Sequence, residues 1–158
     1  MSLTAAVLTI SDSAASGTRP DGSGPALADL LTSKGFTVIA REIVPDERGR
    51  IEATIITLCE AARLVVTTGG TGIAPRDVTP EATTAVCDRL IPGFSELMRM
   101  QGLKHTERAV LSRGVCGSRA ASLIVNLPGN PKGALDSLTT LLPLIPHSLD
   151  LLAGKTNH

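Results

Sequence analysis

Short aliphatic runs alternating with helical patterns constrain this chain more than any other feature. "AVLTI" within residues 5–10 is a short run of the kind expected for a strand buried on both faces, and "FTVIAREIV" over 36–44 and "RLVVTT" over 63–68 read as a second and a third strand. Between the first two lies "PALADLLTSKG", a helical pattern with Pro25 near its start, Ser23 or Gly24 near the N-cap and Gly35 as a stop. Between the second and third, Asp46 can cap the helical pattern "ERGRIEATIITLCEAA". Strand, helix and strand at this spacing give right-handed βαβ units. The expected fold class is α/β: a three-layer α/β/α sandwich around a mainly parallel sheet. The carboxyl ends of parallel strands share one edge, where open α/β sheets bind their ligands.

Further along, Pro80 starts a helix, "PEATTAVCDRL", and "PGFSELMRMQG" reads as another. "RAVLSRG" and "ASLIVNLPG" are the next strand candidates. "NPKGALDSLTTLLPLIPHSLDLLAG" reads as two short helices interrupted by Pro143 and Pro146. No linker or repeat divides the 158 residues, a length that suits one domain spanning 1–158 with one core.

Composition narrows the partners. Fifteen basic and 15 acidic residues leave no field that would gather nucleic acid or an anionic membrane, and two Phe with no Tyr or Trp leave almost no stacking platform for bases. Small-molecule substrates are the expected partners. The N-terminal stretch lacks a basic, then apolar leader pattern, and no run reaches about 18 apolar residues, so the expected location is the cytoplasm. Cys59, Cys87 and Cys116 are far apart and odd in number, which argues for small core residues over a disulfide framework. His105, His147 and His158 are scattered and form no metal cluster in the sequence.

Polar loops follow each strand candidate. "TTGGTGIAPRDVTPEA", residues 67–82, combines hydroxyls, glycines, an Arg–Asp pair and a helix start. Thr68, Gly69, Gly70, Thr71 and Gly72 can present successive N–H groups to an anion, although glycine-rich turns often only turn. The spacing is neither a Walker A loop nor a dinucleotide fingerprint. Arg76–Asp77 could be a surface ion pair, but between a glycine nest and a helix start the pair has a better use, Arg76 for phosphate oxygens and Asp77 for Mg²⁺. Glu81 in the first helical turn partly offsets the helix dipole toward an anion. Asp46 is open to two readings, an N-cap or a second metal carboxylate, since magnesium is often held by one or two carboxylates together with substrate phosphates. Asp12, between Ser11 and Ser13, is a turn residue or a ligand. Gly22, Ser23 and Gly24 can cap a helix or cradle phosphate. Ser112, Arg113 and Lys132, and the "LPGNPK" loop containing Gly129, offer further contacts for an anion.

Taken in order, "TISDS", "DGSGPAL", "VPDE", "TTGGTGIAPRDVTPEA", "PGFSELMR", "LSR" and "LPGNPKG" resemble the MogA/MoaB family of molybdenum-cofactor biosynthesis proteins, which includes the gephyrin G-domain. The resemblance covers essentially the whole chain. It implies a molybdopterin-binding α/β/α fold, commonly a homotrimer. Active members use ATP and Mg²⁺ to adenylylate the molybdopterin phosphate with release of pyrophosphate, preparing the dithiolene for a molybdate insertase. Asp46 and Asp77 match the positions tied to activity in the family; "SDS", "GSG" and "GGTG" match its binding loops. Two other readings stay open: a non-catalytic, MoaB-like molybdopterin-binding protein or scaffold, and a regulatory module that binds nucleotide without pterin.

Overall fold

In the computed structural model, which describes residues 3–156, β1 (Thr4–Ile10) leads into a short helix α1 (Asp12–Ser16) and then α2 (Ser23–Ser33). Next come β2 (Thr37–Val44), α3 (Arg48–Ala61), β3 (Leu64–Thr68) and α4 (Thr79–Val86). A two-residue strand β4 (Arg89–Leu90) precedes α5 (Pro92–Gly102), a 3-10 turn (Glu107–Leu111), β5 (Cys116–Arg119) and β6 (Ser122–Leu127). The chain then forms α6 (Pro131–Leu141), a second 3-10 turn (Leu142–Leu144) and α7 (Ile145–Leu152). The sheet order is β2-β1-β3-β6-β5-β4. β2, β1, β3 and β6 are parallel, while the β6–β5 and β5–β4 pairs are antiparallel.

Period-2 alternation sorts the strand side chains into two cores. Ala5, Val7, Leu64, Val66, Leu123 and Val125 face the cluster built with α2, α5, α6 and α7. Ala6, Leu8, Ile10, Val65 and Ile124 face the cluster built with α3 and α4. Both faces of the central strands are therefore covered, as their unbroken apolar runs require. Each fully buried Leu or Ile contributes roughly 1.5–3 kcal/mol.

Two expected elements differ. The helix starting near Pro80 ends at Val86, because Cys87 is extended (φ −79°, ψ 138°), and Arg89 and Leu90 pair with Ser118 and Gly117. Gly117 makes that pairing possible, since a Cβ there would sit 2.5 Å from the Arg89 carbonyl oxygen. "RAVLSRG" is not a strand: Thr106 caps a 3-10 turn by accepting from the Arg108 amide, and Val110 and Leu111 lie exposed. The strand comes later, at Cys116.

Register brings the functional loops together. Ile10 lies beside Val44, Thr9 beside Thr68, and Thr68 beside Leu127. The loops after β1, β2, β3 and β6 thus leave the sheet at one edge.

Candidate active site

The centre of that edge is the turn after β3. Gly69 and Gly70 have φ of +103° and +68°, a region that L side chains rarely adopt. Space demands glycine as well: a Cβ on Gly69 would lie 2.2 Å from the Ile10 carbonyl oxygen, and one on Gly70 2.3 Å from Thr79 Oγ1. The turn is pinned by Gly69 N–H donating to Leu127 O (3.1 Å), Thr79 N–H to Gly70 O (3.2 Å) and Thr79 Oγ1 to Gly69 O (2.9 Å). Gly129 packs on Gly69, its own Cβ position being 3.3 Å from Gly69 Cα. Among the described residues no protein group accepts from the amides of Gly70, Thr71 or Gly72.

On one side of the turn stands a carboxylate network. Asp46 Oδ2 accepts from the Asp12 amide at 3.0 Å, and Asp12 Oδ1 accepts from the Asp46 amide at 2.9 Å, a reciprocal clasp between the β1 and β2 loops. Arg76 donates to both Asp12 oxygens, at 2.7 and 3.0 Å. Arg76 is therefore paired with Asp12 across the sheet edge and not with its neighbour Asp77. Asp77 Oδ2 instead accepts from the Ala74 amide at 3.0 Å and lies over Gly72, 2.9 Å from where a Cβ would be. Asp46 Oδ1 lies 3.0 Å from the corresponding point on Gly70.

The capping reading of Asp46 does not hold. The N-cap of α3 is Glu47, without a side-chain cap, and the Asp46 carboxylate turns to Asp12. Burial raises the Asp46 carboxyl above the usual carboxylate range; hydrogen bonding to the Asp12 amide counteracts this, and the charges of Asp12 and Asp77 add to it. Asp12 is shifted the other way, chiefly by the Arg76 hydrogen bonds.

The remaining expected contacts divide. Ser11 caps α1 by accepting from Ala14 N–H, and its hydroxyl lies 3.2 Å from that of Ser13. Ser23 is buried with its hydroxyl 3.0 Å from Thr68 Oγ1, which also donates to Pro128 O at 2.8 Å. Gly24 sits under Asp21, which accepts from Thr9 Oγ1 and Gly24 N–H, while Gly22 approaches Pro131. Ser23 and Gly24 thus form the seam between α2 and the sheet. Lys132 is exposed in the first turn of α6. Ser112 Oγ accepts from Gly114 N–H at 3.3 Å. Arg113, expected to meet an anion, faces protein: it binds the Gly72 and Asp77 carbonyls and both oxygens of Glu81.

On the other side of the turn a cavity of about 640 Å³ opens between α5 and α6. Thr71 and Gly72 form its wall toward the turn; Met98 and Arg99 line it from α5, and Asn130 and Asp136 from the α6 side. Thr71, Gly72 and Ser112, which also lines the cavity, are among the residues the sequence points to, whereas Met98, Arg99, Asn130 and Asp136 are not. The buried Asn126 in an otherwise aliphatic strand was the one available signal: it donates to Thr67 and Thr83 and accepts from Val115, tying the cavity floor together. His105 lines the cavity and His147 lies in α7, whereas His158 is outside the described residues. The three cysteines are free thiols, each made a weaker acid by burial: Cys59 and Cys116 are pushed up to about 11 and Cys87 to about 12.

Known proteins share this architecture. Residues 6–147 match the family described as the probable molybdopterin binding domain. A molybdopterin adenylyltransferase from Helicobacter pylori is 47% identical over 153 residues, covering 94% of this chain and 87% of its own. The crystal structure of a molybdopterin biosynthesis enzyme, MoaB, from Thermus thermophilus is similar with a TM-score of 0.90 and 46% identity, covering 97% and 98% of the two chains. A molybdopterin biosynthesis Mog protein from Mycobacterium ulcerans gives a TM-score of 0.90 at 39% identity, over 98% and 99%.

Proposed function

This chain belongs to the probable molybdopterin binding domain family, and from that premise we propose that it is a molybdopterin adenylyltransferase of molybdenum-cofactor biosynthesis. It transfers AMP from ATP to the molybdopterin phosphate: a phosphate oxygen of the pterin attacks the α-phosphorus, the bond to the β-phosphate oxygen breaks, and pyrophosphate leaves. One observation carries the reading. Asp46 and Asp77 lie against the same glycine turn whose Gly70, Thr71 and Gly72 amides have no acceptor among the described residues and whose far wall bounds the 640 Å³ cavity. Two anionic substrates can meet there, one from each side.

The roles follow from chemistry. The amides of Gly70, Thr71 and Gly72 receive the phosphates. The cavity takes the pterin, with Met98 as an apolar wall and Asp136 and Asn130 as polar edges. ATP lies on the carboxylate side, where Ser11, Asp12, Ser13 and Arg76 shape the loop, with Gly22, Gly129 and Lys132 along its margin. No residue here forms a covalent intermediate; alignment and electrostatics supply the rate. The donor set fits a magnesium ion, because Asp46 and Asp77 are neighbouring carboxylates and burial together with the Asp77 charge raises the cost of ionising Asp46, a cost a divalent cation relieves. Bound there, the ion would neutralise phosphate charge. Among the described residues no three His, Cys, Asp or Glu side chains gather as a cage, so substrate phosphate oxygens and water would have to supply its other ligands.

The same reading makes the chain a single molybdopterin-binding domain that works in the cytoplasm and passes its product to a molybdate insertase. No described helix is long and apolar enough to cross a membrane. We assign a homotrimer, in support of which Met100, Leu103, Val110 and Leu111 expose apolar side chains along one segment that a neighbouring copy can cover. Incubation of the purified chain with molybdopterin, ATP and Mg²⁺ tests the function: adenylylated pterin and equimolar pyrophosphate are expected. Bound pterin without product would assign the non-catalytic scaffold reading instead, and ATP binding without pterin binding would assign the regulatory module.

A further inference from the structure

Arg113 reaches the site from the loop between the first 3-10 turn and β5, and it ties four points of the segment carrying Asp77. Its amide donates to Thr71 O at 2.8 Å. Its guanidinium donates from Nε to Gly72 O at 2.8 Å and from Nη2 to Asp77 O at 2.9 Å. Glu81 holds the other edge of the fork, Oε2 at 2.7 Å from Nη1 and Oε1 at 3.2 Å from Nη2. Four guanidinium donors are thus satisfied by protein, and the Glu81 hydrogen bonds in turn hold the Glu81 carboxyl below its ordinary range.

We infer that Arg113, oriented by Glu81, is a positioning residue that sets where the Gly72 amide and the Asp77 carboxylate stand, a role that rests on the adenylyltransferase reading. Between residues 72 and 77 the loop is otherwise held by two local contacts, Asp77 N–H to Ala74 O and Ala74 N–H to Asp77 Oδ2, and by the Arg76 side chain on Asp12. Both ends of that loop hang on one guanidinium. Lysine keeps the charge but cannot span the Gly72 carbonyl, the Asp77 carbonyl and both Glu81 oxygens at once. Glu81 therefore serves the loop through Arg113, and neither side chain needs to touch substrate.

The test compares Arg113→Lys, Glu81→Gln and the double variant with the full wild-type chain, measuring kcat and KM for ATP and for molybdopterin, together with amide hydrogen exchange over residues 71–78. Displacing a reacting group by about 1 Å costs on the order of 10²-fold, so kcat for Arg113→Lys falls by roughly 10–100-fold. Both KM values stay within about threefold, and exchange in the segment accelerates while the β3 and β6 amides keep their protection. Glu81→Gln shows a smaller loss in the same direction, and the double variant is no worse than Arg113→Lys alone, because both act through one clamp. A tenfold rise in either KM with kcat retained would make Arg113 a substrate ligand. Unchanged kcat would overturn the role, whether or not exchange accelerates, as would faster turnover or tighter substrate binding in Glu81→Gln. If the wild-type chain does not turn over, the functional reading fails separately, and unaltered exchange in both single variants would still overturn the clamp.

Discussion

On one side of the glycine turn, Asp12, Asp46 and Arg76 hold one another with hydrogen bonds of 2.7 to 3.0 Å, and Asp77 is fixed by a backbone amide. On the other side, Met98, Arg99, Asn130 and Asp136 line an open space of about 640 Å³ between two helices. The first region is fastened by loop-to-loop hydrogen bonds that leave each acidic group one defined position. The second is bounded chiefly by side chains on helix faces. Groups that must meet a reacting phosphorus need the first kind of support, and groups that recognise a flat heterocycle can use the second. Substitutions on the carboxylate side should therefore change kcat, and those in the cavity should change the KM for the pterin.

The largest effect is expected from Asp77→Asn. It keeps the hydrogen bond to the Ala74 amide but removes the charge, and turnover should fall by roughly 10²-fold or more with little change in pterin affinity or melting temperature. A folded variant with near-normal turnover would remove Asp77 from the chemistry. Asp46→Asn should behave alike. Because Asp46 does not cap α3, its loss should leave the thermal midpoint within a few degrees.

Next in size is Gly69→Ala, which joins a positive φ to a Cβ placed 2.2 Å from a backbone oxygen. The conformational strain alone is about 1–3 kcal/mol, and the contact adds to it. Denaturant unfolding should show a clear loss of stability, and activity should fall with it because both regions share the turn. Wild-type stability with normal activity would mean that the turn can open at no cost.

The smallest effects concern the thiols, which belong to neither region. Burial disfavours the thiolate, so at pH 8 roughly one thiol in a thousand ionises at Cys59 or Cys116 and fewer at Cys87. The folded pKa values lie above the ordinary 9.0. Their contribution to stability is thus complete below pH 9 and is lost as pH rises through about 11 to 12. A thiol reagent at pH 8 should label the native protein slowly and the denatured protein at once, without affecting turnover over the first minutes; rapid native labelling would show that these sites open.

Sequence reading reached the sheet and the loops that meet at its edge, because buried parallel strands are written as continuous aliphatic runs. It stopped short where a partner far along the chain decides. Asp46 stands two residues before a helix, so capping and metal binding look alike locally; Asp12, 34 residues away, settles its orientation. Arg76 adjoins Asp77 in sequence yet pairs with Asp12. "CGSR" lacks the β-branched residues of a strand and becomes one through β6 and β4. The cavity depends on the gap between α5 and α6, which no local pattern encodes. Arg113 and Glu81 were legible as polar groups near the site, but their mutual fork was not.

The division of labour across the glycine turn is tested most directly by steady-state kinetics of Asp46→Asn beside Asp136→Asn, with molybdopterin as the varied substrate. The account predicts opposite signatures: kcat falls by roughly 10²-fold with pterin KM unchanged in the first, while in the second pterin KM rises about tenfold or more with kcat retained. If both variants shift the same parameter, or if the cavity substitution abolishes kcat while Asp46→Asn only weakens pterin binding, the two sides do not carry the separate roles assigned to them.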